Sequence, residues 1–288
     1  MNTPPKAIVF RAGGYGLANR LRALVGYQAL ARLLNVPFYL CWVSDPSCEA
    51  RFEELFDSPI NLIEPRDLET LPDATVFSEA LWFDRILDLV GTHAFSRGDY
   101  LAEVRQCLRQ LSPSRQLMRT VEDFSSRHGL ADSLGVHIRH TDNLTFYAGW
   151  ETLPDFDFRS ISSLDGFMDE IRTRIPSMRV FLSTDDAVLE AKLKQAFPNL
   201  VTFPKRYALV GVRTTPIADA LSEMLLLSRC RRIVGTYYSS FSKFSAIWGE
   251  TDYFEIRGRE CSRSRFVDRI LLPVRVVQSL SAGSSGLG

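Results

Sequence analysis

The 288 residues predict an α/β protein made of two doubly wound, Rossmann-like domains facing each other across a cleft. Three observations lead there. Short apolar, β-prone runs alternate with stretches of helical period in both halves of the chain. The length suits two domains better than one, at roughly 150 residues per domain. Four times, at residues 11–20, 135–142, 182–186 and 235–242, a strand-like run ends in glycine, charged or hydroxyl side chains just before a helix-like run begins. Open α/β sheets bind their ligands at such carboxyl edges.

Residues 7–10 read as a first buried strand. Leu17, Leu21, Leu24 and Val25 then share one stripe of a helix that runs to about Leu34, and residues 37–43 read as the next strand. Strand, glycine turn, helix and strand make one βαβ unit. Residues 45–112 are less regular, with short strand candidates at 62–63 and 75–77 and a helix around 100–111. Residues 112–115 (Ser-Pro-Ser-Arg) are the expected domain junction, giving domains at 1–114 and 115–278. Beyond the junction the pattern predicts a helix at 117–127, a strand at 135–139, a long loop at 143–163 and a helix at 164–175. A strand at 180–182 follows, with its helix carrying Leu189, Leu193 and Ala196 on one face and Glu190 and Lys194 as an i,i+4 pair. A strand at 200–203, a helix marked by Ile217, Ala220, Leu221, Met224 and Leu225, a strand at 232–235 and a helix opening near Ser239 complete the alternation. Residues 253–256 read as the last strand, and the Gly/Ser-rich tail at 279–288 as disordered. No internal repeat is evident.

Composition excludes several classes. Lys and Arg number 34 and Asp and Glu 34, so no long-range field for nucleic acid or anionic membrane is expected. Five scattered cysteines without a CxxC pair argue against a zinc site or disulfide framework and for reduced thiols. No apolar stretch approaches the roughly 20 residues needed to span a bilayer. The amino terminus leads straight into a strand without a signal peptide's apolar region. The expectation is a soluble, cytoplasmic protein with no integral membrane segment.

Each of the four segments has a chemical and a duller reading. The turn containing Gly13, Gly14 and Gly16 lets backbone approach a ligand at a helix start, where anions are favoured, or it is simply a tight turn. It differs from G-x-G-x-x-G and lacks the P-loop lysine. Asn19 and Arg20, one turn into the helix, are positioned to reach back to a bound group. Arg139 follows directly from a buried strand and offers a planar fork for phosphate or carboxylate, or else a surface ion pair with Asp142. His137 is either a ligand group or a satisfied core histidine. Thr184 or Asp185 is expected to cap the next helix, leaving one acid of the pair Asp185 and Asp186 for a ribose or a guanine N–H edge. Ser239 and Ser242 flank a helix start that is either a phosphate cradle or plain capping. Asp219 and Glu223 share one helical face, which is either solvated or directed toward the cleft.

Together the four segments resemble the α-1,6- and O-fucosyltransferase superfamily, which includes bacterial nodulation fucosyltransferases and consists of two-domain GT-B glycosyltransferases. The first motif of that group, H-x-R-R-x-D, is approached by His137, Arg139, His140 and Asp142. Its aspartate-rich second motif is similar to residues 183–186. Its third, a helix, a strand and a serine pair, is similar to Glu223 through Gly235 to Ser239, Ser240, Phe241 and Ser242. Asn19 and Arg20 match the G-x-x-N-R-x-R run of related bacterial enzymes. The likeness spans residues from about 7 to 256 in short islands.

The resemblance implies that Arg139 holds the β-phosphate of GDP-fucose, with His137, His140 and Asp142 beside it. It implies further that Asp185 or Asp186 contacts the nucleoside, that the turn of Ser239, Ser240, Phe241 and Ser242 binds the diphosphate, that Gly14, Gly16, Asn19 and Arg20 belong to the donor-binding residues, and that Glu223 is the acidic position of the third motif. Two departures stand out. The motif's second arginine is His140 here. Tyr147 stands where some members carry a glutamate, so Glu151 is the nearest candidate for a base.

The expected activity is inverting, metal-independent transfer of fucose from GDP-fucose to a carbohydrate acceptor, with no cofactor beyond the donor. Asp155 and Asp157 have the D-x-D spacing of metal-dependent enzymes but lie in a proline-flanked loop. Phe146, Tyr147 and Trp150 are candidates for stacking on acceptor sugars. The alternatives are a GDP-sugar-binding protein that has lost catalysis, and an unrelated α/β enzyme acting on a phosphorylated small molecule.

Overall fold

The structure, a computed structural model, describes residues 5–71, 73–89, 95–140, 162–207 and 215–271. It divides into two α/β units. Residues up to Arg115 form one together with Ile270 and Leu271; Gln116–Arg269 form the other.

The first unit is built on β1 (Ala7–Ala12), α1 (Leu17–Leu33) and β2 (Phe38–Trp42). A short helix α2 (Phe52–Leu55), β3 (Ala74–Phe77), α3 (Phe83–Asp88) and α4 (Arg97–Gln110) follow. The sheet order is β2-β1-β3, all parallel, with Ile8 opposite Phe38 on one side and Thr75 on the other. Because β1 is central and covered, its residues Ile8, Val9 and Phe10 are fully buried, as a continuous apolar run in a parallel sheet should be. Tyr27 of α1 stacks between Phe10 and Phe77 with ring centroids 5.1 and 4.8 Å away, fixing helix to sheet. The strand expected at 62–63 is only an isolated bridge, Leu40 to Leu62.

The second unit opens with α5 (Arg115–His128) and runs through β4 (Leu134–Ile138), α6 (Leu164–Arg174), β5 (Val180–Thr184), α7 (Ala187–Ala196) and β6 (Val201–Thr202). It closes with α8 (Ile217–Leu227), β7 (Arg232–Thr236), α9 (Ser240–Gly249), β8 (Asp252–Arg257) and β9 (Glu260–Arg263). The sheet order is β6-β5-β4-β7-β8-β9, with β9 alone antiparallel. Leu134, Val136, Ile138, Val180, Leu182, Val234 and Ile256 fill the core beside Phe167 and Ile171 of α6 and Leu189 and Leu193 of α7. The strand at 252–257 is therefore not the last. A hairpin through Gly258, at φ 57°, returns into β9, where Cys261 alone packs against the core and Glu260, Ser262 and Arg263 are polar, too weak an apolar signal to mark a strand.

Chain order reverses between β4 and β7: β5 and β6 extend the sheet one way, β7 and β8 the other. The connections on the two sides leave the sheet in opposite directions, which opens a crevice at the carboxyl ends of β4 and β7. That point organises the chemistry below.

Candidate functional site

The crevice is bounded by residues that follow β4, β5 and β7. Ile138 lies opposite Thr184, and His137 opposite Gly235. One step further along each strand come Arg139, Asp185 and Tyr237. The Arg139 backbone N–H donates to Thr236 Oγ1 at 3.1 Å, and that hydroxyl in turn donates to His137 O at 3.4 Å, so the ends of β4 and β7 are tied across the switch point. His137 is buried and stacks on Phe241 of α9, centroids 4.8 Å apart at 22°. Its ring belongs to the packing between sheet and helix.

His140 and the acid pair are brought together. Its backbone N–H donates to Asp185 Oδ1 at 2.7 Å, and its Nδ1 lies 2.7 Å from Asp186 Oδ2. Asp186, rather than Thr184 or Asp185, is the cap of α7: its Oδ1 accepts from the N–H groups of Val188 and Leu189 at 2.8 and 3.0 Å. Burial works to raise the Asp186 pKa, but the Leu189 and Val188 N–H groups and His140 outweigh it and hold the carboxyl below its ordinary value. The pair thus splits into a capping acid that engages the histidine ring and a second acid, Asp185, on the strand end.

At β7 the chain turns through Tyr237 and Tyr238 into α9. Ser239 holds the N-cap position, yet its side chain accepts no helix N–H. It is 1% exposed, and its Oγ has no hydrogen-bond partner among the described residues. Simple serine capping is therefore not what this residue does. Ser240 and Phe241 are half-buried in the first turn. Ser242 is different. Fully buried, it shares a hydrogen bond of 3.1 Å with Tyr253 Oη, so its side chain packs α9 on the sheet. Gly235 permits that packing, since a Cβ there would stand 2.7 Å from both Ser242 Cβ and Tyr253 Oη.

The glycine turn of the first unit is organised from within. All five N–H groups of Arg20, a fully buried side chain, are engaged by its own chain. Nε donates to Tyr15 O at 2.6 Å, Nη1 to Ala12 O at 2.9 Å and to Val43 O, and Nη2 to Asp45 Oδ2 at 2.6 Å and Ser47 Oγ at 3.4 Å. Asp45 also accepts the Gly14 N–H at 2.7 Å, with Gly14 at φ 72°. Burial would raise the Asp45 pKa, but hydrogen bonds from Ser47 and Gly14 and the Arg20 charge bring it to about 2. Arg20 is thus a clamp between the ends of β1 and β2 with no donor left for a bound group, and the Gly14 N–H is likewise taken. Gly16 caps α1 without a side-chain partner, and Asn19, half-buried, makes no side-chain hydrogen bond among the described residues. Arg22, the last arginine of the same run, also turns inward, donating to Leu81 O at 3.1 Å with its guanidinium 4.0 Å from the Trp82 ring centre.

Glu223 lies among charges that the sequence did not connect. The Lys205 side chain, fully buried, donates to Glu223 Oε1 at 2.5 Å and sits 3.2 Å from Glu190 Oε2. Tyr207 Oη donates to Glu190 Oε2 at 2.6 Å and approaches Thr184 O at 3.3 Å. Asp219, one turn before Glu223, accepts the Arg206 N–H at 3.2 Å, so both acids of that face grip the segment after β6. The Glu190–Lys194 pair expected from spacing gives way to this cluster, where desolvated partners interact more strongly than exposed ones. Glu223, the acidic position of the third motif, is thus sealed from solvent and bound to a lysine.

Burial raises the Glu223 pKa from 4.5 to about 7 against the opposing pull of Lys205. The folded protein then keeps a proton between pH 4.5 and 7 that the unfolded chain has released. Stability contributed by this group therefore falls as pH rises through that window and levels off above it. Glu223→Gln, locked in the neutral form, should gain about 2 kcal/mol relative to the natural protein between pH 5 and 8, at 1.36 kcal/mol per pKa unit. Urea denaturation of both proteins at the two pH values measures it; parallel pH profiles would contradict the assignment.

Asp142 and Glu151 lie outside the described residues, as do Phe146, Tyr147, Trp150, Asp155 and Asp157.

The fold is one shared with fucosyltransferases. The crystal structure of fucosyltransferase NodZ from Bradyrhizobium superposes with a TM-score of 0.59 at 16% identity, over 86% of this chain and 94% of that one. A GDP complex of an Arabidopsis thaliana FUT1 mutant superposes with a TM-score of 0.52 at 13% identity, over 91% and 74%. In sequence, the chain is similar to nodulation protein Z of Bradyrhizobium diazoefficiens, 24% identical over a 215-residue alignment that covers 69% of this chain. The match covers 54% of that protein, so the chain spans about half the length of the curated relative it matches. No protein-family model matches the sequence.

Proposed function

We propose that the protein is a glycosyltransferase that moves fucose from GDP-fucose to a carbohydrate acceptor, with inversion and without a metal ion. The observation that carries the reading is the switch-point edge. There Arg139, the acid Asp185 and a ten-residue helix, introduced by the unsatisfied Ser239 hydroxyl, follow three neighbouring parallel strands. Cation, helix start and hydroxyl suit a diphosphate, and a carboxylate beside them suits a nucleoside's hydroxyl or N–H edge. NodZ has been crystallised with GDP and soaked with GDP-fucose, and both structures share this fold.

In this reading an acceptor hydroxyl attacks the anomeric carbon from the face opposite GDP. The bond from that carbon to the β-phosphate oxygen breaks, and its electron pair stays on the diphosphate. Arg139, the N–H groups at the start of α9 and the helix dipole neutralise the leaving charge. The hydroxyl proton passes to a carboxylate, for which Glu151 is the nearest glutamate after the first motif. Among the described residues no helix is long and apolar enough to cross a membrane. Among the described residues no cysteine is in a disulfide, which favours a reducing, cytoplasmic setting.

A second reading, GDP-sugar binding without transfer, draws on two observations. His140 is committed to Asp186 and Glu223 to Lys205, so two groups expected at the reaction are held by other side chains.

A nucleotide panel tests the donor class. GDP should raise the melting temperature well above the effect of UDP or NAD. At 100 times its Kd a ligand adds about 2.7 kcal/mol, or several degrees for a protein of this size. Equal shifts with all three, or none with GDP, would remove the GDP-sugar reading.

A further inference from the structure

The carboxyl edge carries a second guanidinium. Thr236 of β7 lies opposite Ile256 of β8, so the row that holds Arg139 and Tyr237 continues, one step beyond the ladder, to Arg257. With parallel strands ~4.8 Å apart, the two arginine backbones stand about 10 Å apart on either side of Tyr237. The Arg257 guanidinium lies 3.7 Å from the centre of the Tyr237 ring, and its Nη2 donates to Glu255 Oε1 at 2.8 Å. Lys243, in the first turn of α9, is 5.1 Å from the same ring and 3.5 Å from Glu255 Oε2. One buried carboxylate thus faces two cations. The Arg257 side chain is 54% exposed, and among the described residues one contact to Glu255 is the only hydrogen bond it makes. A guanidinium held flat on an aromatic ring is fixed in place while most of its donors still point outward.

We propose that Arg257, stacked on Tyr237 and tethered by Glu255, is a second phosphate-binding group, closing on the diphosphate from the side opposite Arg139. The inference rests on reading this edge as the site of a GDP-sugar. A diphosphate carries more than one negative charge, and His140, the other basic group of the β4 end, already faces Asp186.

Calorimetric titration with GDP and with GMP tests it. Arg257→Gln should weaken GDP binding about 10-fold or more, the scale of a charge-assisted contact, while GMP affinity changes less than about twofold. Arg257→Lys, which keeps the charge but not the fork, should still lose several-fold toward GDP; it carries the test if the glutamine variant does not fold. GDP binding at natural strength in these variants overturns the assignment of Arg257 and leaves the GDP-sugar reading standing. Equal losses for GDP and GMP overturn it as well, since the effect would then lie outside the terminal phosphate. Failure of the natural protein to bind GDP overturns both.

Discussion

Replacing Arg139 with alanine is expected to weaken GDP and GDP-fucose binding by about 10- to 100-fold while leaving the melting temperature nearly unchanged. A charge-assisted contact to phosphate is worth roughly 1.5–3 kcal/mol, which sets that range. Turnover should fall further, by about 100- to 1000-fold, because charge on the leaving diphosphate peaks in the transition state. The fold should survive. Arg139 is only half-buried at the end of β4, and the bond tying it to β7 is made by its backbone N–H to Thr236, which any residue can supply. Arg139→Lys should recover little, since a point charge cannot replace a bidentate fork. Titration of the two variants with GDP is the check, and affinity equal to the natural protein's would contradict the role.

Arg20→Ala should do the reverse and strike stability. The change strips donors from the carbonyls of Ala12, Tyr15 and Val43, leaves Asp45 without its counter-charge and opens a cavity where a whole side chain was buried. Breaking a buried ion pair on one side costs about 3–5 kcal/mol, a large share of the 5–15 kcal/mol that holds a typical domain. A fall in melting temperature of roughly 10–20 °C is expected for a unit of this size. Lysine cannot reach five acceptors in three directions and should rescue little. A thermal melt decides it: a loss under about 1 kcal/mol would mean the clamp is not structural.

The contrast between these two arginines shows where the sequence was readable. Both come soon after strand-like runs, Arg20 four residues past Gly16 and Arg139 next to His140, and local pattern treats them alike. What separates them is distance along the chain: Asp45 and Val43, which consume the donors of Arg20, lie more than twenty positions away. Lys205 stayed unnoticed for the same reason, since its partners Glu190 and Glu223 come from two different helices. The strands of the second sheet were legible because parallel strands buried on both faces read as unbroken apolar runs. β9 was not, being an antiparallel edge strand with a single core-facing side chain, Cys261. The helix cap one residue past its expected place, at Asp186, belongs to the ordinary imprecision of boundaries. Ser239 and Ser242 look equivalent in sequence. Only the close approach of Tyr253 and Gly235 makes one of them a packing residue.

The central claim is that this edge binds a GDP-sugar and expels GDP from it. Its most direct test is release of GDP from GDP-fucose by the purified protein in EDTA, with a mixture of oligosaccharide acceptors, beside the Arg139→Ala variant. The account predicts acceptor-stimulated GDP release that persists in EDTA and nearly disappears in the variant. No release, or release that EDTA abolishes and Mn²⁺ restores, would contradict it.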